Sequence, residues 1–119
     1  MSEPKISNFN TIIKEIIKKS LFTERQIEII LKQKKMLDVE FGVSKGAYYR
    51  QLAQSRSKIE SVYYTIILLQ AFDVILTNSD VISRLAEQVT VMKDSSFTPE
   101  NERQILDVIR KTVRQLVDL

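Results

Sequence analysis

The sequence predicts an all-α fold. A chain of 119 residues with only two Gly and two Pro has few places for the turns that join strands. Its long Ile, Leu, Lys, Glu and Gln stretches repeat apolar residues at helical spacing. With 44% apolar residues, the chain has the length and composition of a single domain that needs no disulfide or metal to fold.

The chain contains no Cys and no His, which restricts its chemistry. Disulfides, thiolate or imidazole metal sites, zinc fingers and imidazole bases are excluded, and two glycines do not make a phosphate-binding loop. Four carboxylates have ordinary salt-bridge spacing to nearby lysines rather than the setting of an acid–base pair: Glu24, Glu28, Asp38 and Glu40. We therefore expect no enzyme, no catalytic residue, no cofactor and no metal.

The amino terminus, M-S-E-P-K, is polar and lacks the apolar core of a signal peptide. The longest apolar stretch, residues 62–76, is interrupted by Thr65, Gln70 and Asp73 and is too short to span a bilayer. These features predict a cytoplasmic protein with no membrane partner.

Two helices are expected before residue 35. The first runs from a cap at Asn8 or Asn10 to about Ser20, with Ile12, Ile13, Ile16 and Ile17 on one face. The second starts at Thr23, whose spacing to Gln26 is that of a capping box. Its inward residues are expected to be Ile27, Ile30 and Leu31.

The next segment leads to a third, long helix. Residues 32–35 either form a basic turn or merge the helices around them, and a short helix is expected near Met36 to Phe41. Gly42 supplies a positive φ, Val43 is expected to fill the space between helices, and Ser44 is an N-cap. The helix that follows should bury one stripe, formed by Tyr48, Leu52, Ser55 and Ile59.

No Gly or Pro stops this helix, so it is expected to continue to about Leu76. Residues 62–76 are apolar on nearly every side and must be enclosed. They form either the central core helix of a monomer or, as we favour, the seam of a homodimer. The predicted dimer interface consists of Val62, Tyr63, Ile66, Ile67, Leu69, Gln70, Phe72 and Asp73.

Two carboxy-terminal helices complete the prediction. One follows a cap in residues 77–80 and ends near Met92, with an inward stripe of Val81, Ile82, Leu85, Ala86, Val89 and Met92. The other begins at Thr98-Pro99, and its inward stripe is Ile105, Val108, Ile109, Thr112, Val113 and Leu116. A less favoured alternative is a winged fold, in which residues 89–92 form a short strand.

Positive charge is concentrated in the first half of the chain. Residues 1–60 contain 12 Lys and Arg against 7 Asp and Glu, a net +5, while residues 61–119 contain 6 against 8, a net −2. No acidic residue occurs from Lys45 to Ile59. A basic helix that follows a Gly-Val-Ser turn is typical of DNA recognition, although a solvated basic face is the simpler alternative.

The segment F-G-V-S-K-G-A-Y-Y-R-Q-L-A-Q-S-R-S-K-I, residues 41–59, resembles the helix-turn-helix of the promoter-reading domain of bacterial sigma factors and of archaeal Tfx-type regulators. Upstream, L-F-T-E-R-Q-I-E-I-I at residues 21–30 is similar to the opening of the same domains. The likeness covers about residues 21–60. It implies an all-α fold with a helix-turn-helix DNA-binding half, followed here by a long helix and C-terminal dimerisation helices.

The sequence thus predicts a helix-turn-helix DNA-binding region at residues 1–60 and a helical core and dimerisation region at residues 61–119, packed as one compact unit. Lys45, Tyr49 and Arg50 are the candidates for base edges, because the N-terminal part of such a helix enters the major groove. Arg56 and Lys58 are expected on phosphate. The full set of candidate DNA-binding residues is Ser44, Lys45, Gly46, Tyr49, Arg50, Gln54, Arg56 and Lys58, with Lys32, Lys34 and Lys35 before the turn.

The predicted function is a sequence-specific regulator of transcription that binds double-stranded DNA as a homodimer. RNA polymerase is a further candidate partner. The alternative is a helical protein–protein interaction module, such as a polymerase-associated or adaptor protein, whose turn motif packs on protein instead of DNA.

Overall fold

The computed structural model describes residues 9–38, 40–75, 80–117 and 119. All regular secondary structure in these ranges is helical, which confirms the predicted all-α class. The helices are α1 (Thr11–Lys19), α2 (Glu24–Gln33), α3 (Lys45–Ala71), α4 (Asp80–Met92) and α5 (Pro99–Val117). None of these helices has the length and apolar content needed to cross a membrane.

The helix starts carry side-chain caps. The Asn10 side-chain oxygen accepts a hydrogen bond from the Ile13 amide at 3.0 Å. At α2, Thr23 and Gln26 form both bonds of the predicted capping box. The Thr98 hydroxyl accepts from the Asn101 amide at 3.2 Å, with Pro99 in the first helical position as predicted. The alternative cap Asn8 and the predicted cap residues 77–79 lie outside the described residues.

The short helix expected near Met36 to Phe41 is wrong for the described residues of that segment. Helix α2 ends at Gln33, and α3 begins at Lys45. Lys35 adopts a left-handed φ of 60°. Its amide bonds to the Lys32 carbonyl at 2.9 Å, and the Met36 amide bonds to the Leu31 carbonyl at 2.8 Å. This pair of bonds is a Schellman motif, so the basic-turn alternative is the one observed.

The long helix ends in the same way. Asp73 has a φ of 57°, its amide bonds to the Gln70 carbonyl at 3.1 Å, and the Val74 amide bonds to the Leu69 carbonyl at 2.8 Å. Helix α3 therefore ends at Ala71, a few residues before the expected end at Leu76, which lies outside the described residues. In both motifs the left-handed position, where Gly is usual, is occupied by another residue.

The chain divides into two compact units. Among the described residues, unit 1 comprises residues 17–63 except residue 39, and unit 2 comprises residues 9–16 together with those that follow residue 63. The division falls inside α3.

Unit 1 has a small interior. Its buried side chains are Ile17, Gln26, Glu28, Ile29, Leu52 and Ser55. The stripe predicted for α3 is confirmed, since Leu52 and Ser55 are buried while Tyr48 and Ile59 are half-buried. The phase predicted for α2 needs correction. Ile29 is the fully buried residue, whereas Ile27, Ile30 and Leu31 are half-buried, because the face centred on Gln26 and Ile29 turns inward. Val43, expected between helices, is 51% exposed.

Unit 2 has far less interior. Ile12 is buried, but neither α4 nor α5 contains a buried residue. Of the predicted inward stripes, Val81, Leu85, Val89, Met92, Ile105, Ile109, Thr112 and Leu116 are half-buried, while Ile82, Ala86, Val108 and Val113 are exposed. The Asn10 side-chain amide donates hydrogen bonds to the carbonyls of Met92 at 2.8 Å and Ser95 at 3.0 Å and so holds the end of α4. The winged alternative is wrong, because residues 89–92 are helical.

Candidate nucleic-acid interface

The start of α3 is built as the sequence predicts. Gly42 has a φ of 63°, and the Ser44 hydroxyl accepts a hydrogen bond from the Ala47 amide at 3.1 Å. The first turn contains Lys45 and no acidic residue. The positive end of the helix dipole therefore coincides with a lysine side chain, a combination that attracts anions.

The half of α3 that follows buries one side and exposes the other. At 100° per residue, the exposed side has small residues along its middle, namely Gly46, Ala53 and Ser57. One edge carries Lys45, Tyr49 and Arg56, and the other carries Arg50 and Gln54. We call these eight residues the basic face of α3. Because the side chains along the middle are small, another surface can approach the helix closely between the longer polar side chains at the two edges.

The charge of the basic face is not neutralised within the part of the chain that the structure describes. Lys45, Arg50 and Arg56 make no ion pair there, and all three are exposed. Helix α5 differs. Its Lys111 ammonium lies 3.0 Å from a carboxylate oxygen of Asp107, and Arg110 also pairs with Asp107. The hydrogen bond from Lys111 lowers the pKa of Asp107. The basic residues of α3 are thus available to an external anion.

Lys58 does not belong to this face. Its ammonium donates to the Leu21 carbonyl at 2.8 Å and to the Gln26 side-chain oxygen at 2.7 Å. It also lies 5.8 Å from the centre of the Phe22 ring. Position 58 is on the side of α3 next to the buried Ser55, so its side chain joins α3 to the start of α2. In the structure, the ammonium of this predicted phosphate contact is therefore hydrogen-bonded to other residues of unit 1.

Lys32, Lys34 and Lys35 also separate into two kinds. Lys32 is half-buried, with its ammonium 5.2 Å from the centre of the Phe41 ring and 5.7 Å from that of Tyr48. Lys34 and Lys35 are exposed at the turn after α2. Only these last two present their charge to solvent as the prediction requires.

Phe41 is the main residue that the sequence pattern did not reveal at this site. Its ring stacks on Tyr48, with centroids 6.0 Å apart, and the Arg25 guanidinium lies 4.8 Å from its centroid. The Tyr48 hydroxyl donates to the Gln33 side-chain oxygen at 3.3 Å. This cluster of Arg25, Lys32, Phe41 and Tyr48 attaches the segment between α2 and α3 to both helices. Its members are distant in sequence, so spacing alone does not identify it.

The predicted dimer residues lie in the second half of α3 and just after it. Tyr63, Ile66, Ile67, Gln70, Phe72 and Asp73 are exposed, and Val62 and Leu69 are half-buried. The exposed fraction reaches 73% for Phe72. Among the described residues no group of three or more acidic side chains could hold a metal ion.

Comparison with models of known protein families, with curated proteins and with solved structures finds no match to this chain. The resemblance to sigma-factor and Tfx-type domains therefore rests on the sequence of residues 21–30 and 41–59.

Proposed function

We propose that the protein is a sequence-specific regulator of transcription that binds double-stranded DNA as a homodimer, with the basic face of α3 as its reading surface. The observation that carries this proposal is the set of exposed, unneutralised basic residues at the capped start of a helix. Phosphate attraction supplies most of the affinity in such complexes, and it requires cations that are not already paired.

Within this face the roles follow from position along the helix. Lys45, Tyr49 and Arg50 lie in the first two turns, which enter the major groove in helix-turn-helix complexes. Arg50 can donate two hydrogen bonds to one guanine. Arg56 lies farther along and is assigned to phosphate, as are Lys34 and Lys35 at the preceding turn.

The supporting helix is α2, but its connection to α3 differs from the three- to four-residue turn of the usual motif. Residues 34–44 separate the two helices. The bonds from Lys58 to Leu21 and Gln26, together with the Phe41 cluster, hold α3 against α2 instead. We therefore propose a helix-turn-helix variant with a long connection.

The test starts with selection of bound duplexes from a random DNA pool. Affinity for the enriched site and for a scrambled duplex is then measured by fluorescence anisotropy from low to high salt. We expect preference for the enriched site and a steep loss of affinity with salt. Arg50→Ala should cost about 1 to 3 kcal/mol on that site and relax preference at two symmetry-related positions, about 34 Å apart or a multiple of that distance.

Arg103→Ala is the matched control, because it removes an exposed arginine from α5. It should leave site preference unchanged. Equal binding of the wild type and Arg50→Ala to every duplex, at low and high salt, would refute DNA reading by α3 and favour the protein-interaction alternative.

A further inference from the structure

Helices α4 and α5 of unit 2 border an apolar groove that is empty of side chains from the described residues. Its volume is about 450 Å³. No charged residue lines it, and the lining residues are Gln88, Val91 and Met92 of α4 with Gln104, Ile105, Val108 and Ile109 of α5. We call this the α4–α5 groove.

The two helices that form the groove bury none of their side chains. Val91 is 78% exposed and Val108 is 60% exposed, and neither helix has a buried residue. In proteins, a helix of this length is stabilised mainly by packing of its apolar face rather than by intrinsic propensity. A partner that covers the groove would add to the packing of both helices.

The second half of α3 carries a surface of the opposite shape. Tyr64, Ile67, Leu68 and Phe72 are all more than half exposed and fall on one side of the helix axis. No charged residue occurs from Ser61 to Phe72. These four side chains form a convex, uncharged surface that we call the α3 ridge.

We infer that the α3 ridge of one copy occupies the α4–α5 groove of a second copy, and that the second copy does the same in return. This inference rests on the homodimer of the proposed function and names the surfaces that form it. Reciprocal exchange of a convex and a concave surface closes a two-fold dimer without leaving either one open.

The apolar area favours a second copy as the occupant. The six most exposed apolar side chains of the two surfaces, Tyr64, Ile67, Leu68 and Phe72 of the ridge with Val91 and Val108 of the groove, are 55% to 78% exposed and together leave roughly 700 Å² uncovered per chain. Two copies that cover both surfaces bury roughly 1,400 Å², which lies in the range of a stable protein–protein interface. The uncharged lining also excludes DNA as the occupant, because DNA requires cations.

Cysteine crosslinking tests the arrangement directly, because the natural chain has no Cys. Phe72→Cys and Val108→Cys chains, one of them carrying a size tag, are co-expressed and treated with a short bismaleimide. We expect a covalent dimer that contains one chain of each kind. Each variant expressed alone should crosslink at least ten-fold less, since like positions do not meet in the exchanged dimer.

Arg103→Cys combined with Phe72→Cys is the control, because Arg103 lies on the side of α5 opposite to the groove. This pair should not crosslink. Val91→Cys can replace Val108→Cys on the other wall of the groove, and circular dichroism checks that each variant is folded. Crosslinking of Phe72→Cys to itself in preference to the mixed pair would overturn the inference in favour of ridge-to-ridge pairing.

A monomer mass by light scattering at micromolar concentration would overturn it as well. Neither result bears on DNA reading, which the Arg50→Ala comparison tests separately. Loss of site preference in Arg50→Ala together with ridge-to-ridge crosslinks would therefore retain the reading role and reject only the groove.

Discussion

The two halves of α3 differ in what they leave exposed. The first half, in unit 1, buries Leu52 and Ser55 and exposes cations. The second half, in unit 2, exposes large apolar side chains such as Tyr64 and Ile67. Water solvates an exposed cation well, whereas covering exposed apolar side chains is favourable. The first half is therefore suited to remain in solvent, and the second half is the surface that the proposed dimer covers.

This difference separates two sources of stability. Unit 1 is held by contacts within one chain, including a capping box and the Lys58 bonds to Leu21 and Gln26. In the proposed dimer, unit 2 gains its interior from the second copy, so its stability depends on protein concentration. Substitutions in each unit test this difference.

The largest effect is expected at Ile29, which is 1% exposed in unit 1. Ile29→Ala should lower the free energy of unfolding by about 2 to 5 kcal/mol, because it leaves a cavity in a very small interior. Urea unfolding followed by circular dichroism measures the change. Val43→Ala, at an exposed position of the same unit, should change it by less than about 0.5 kcal/mol. A destabilisation at Val43 equal to that at Ile29 would contradict the separation of interior and surface.

The second effect concerns the α3 ridge. Ile67 is 63% exposed within one chain, but in the proposed dimer its side chain is covered. Ile67→Asp should raise the dimer dissociation constant by about 100-fold or more, because a carboxylate would be buried without a partner. Light scattering over a dilution series measures this shift. Ile67→Leu, which keeps the apolar surface, should stay close to the wild type. If the Ile67→Asp variant dimerises with the dissociation constant of the wild type, Ile67 faces solvent in the assembly.

Much of the fold was predictable from local signals. The caps at Asn10, Thr23, Ser44 and Thr98 follow from short-range hydrogen-bonding patterns, and the structure shows each of them. The helix ends were harder to predict. Lys35 and Asp73 occupy left-handed positions where Gly is the usual signal. Composition therefore did not decide between a basic turn and merged helices at residues 32–35, and it did not indicate that α3 ends at Ala71.

The candidate site was predictable only in part. Exposure of Lys45, Tyr49 and Arg50 follows from the inward stripe of α3, and the structure shows it. The positions of Lys32 and Lys58 depend on contacts with residues far along the chain. Helical spacing predicts that a lysine beside the buried stripe is exposed at the surface. It does not show whether a carbonyl oxygen lies close enough to accept a hydrogen bond from the lysine ammonium.

Arg56 and Lys58 provide a matched test of that distinction. Lys58→Met should lower the free energy of unfolding by about 1 to 2 kcal/mol, because the ammonium that donates two hydrogen bonds is removed. For this variant, the slope of log DNA affinity against log salt concentration should equal that of the wild type. Arg56→Met should leave stability unchanged and make that slope shallower by about one unit for each phosphate that Arg56 neutralises in the wild type.

Thermal unfolding and the anisotropy salt series give the two readouts. The opposite assignment, with Lys58 changing the slope and Arg56 changing the stability, would show that α3 is rotated relative to α2 when DNA is bound.

The smallest and most specific effect is expected at Gly46. A Cβ built at this position meets no atom within 4 Å, so packing within the described residues does not require glycine. Glycine costs about 0.5 to 1 kcal/mol relative to alanine inside a helix. Gly46→Ala should therefore raise the free energy of unfolding by up to about 1 kcal/mol.

If the middle of the basic face approaches DNA closely, the same change should weaken binding to the preferred site several-fold. The control Ala53→Gly, on the same face, should lower the free energy of unfolding and leave DNA affinity unchanged. Equal or tighter DNA binding by Gly46→Ala, measured beside its gain in stability, would place Gly46 outside the contact and leave the reading role to the edges of the face.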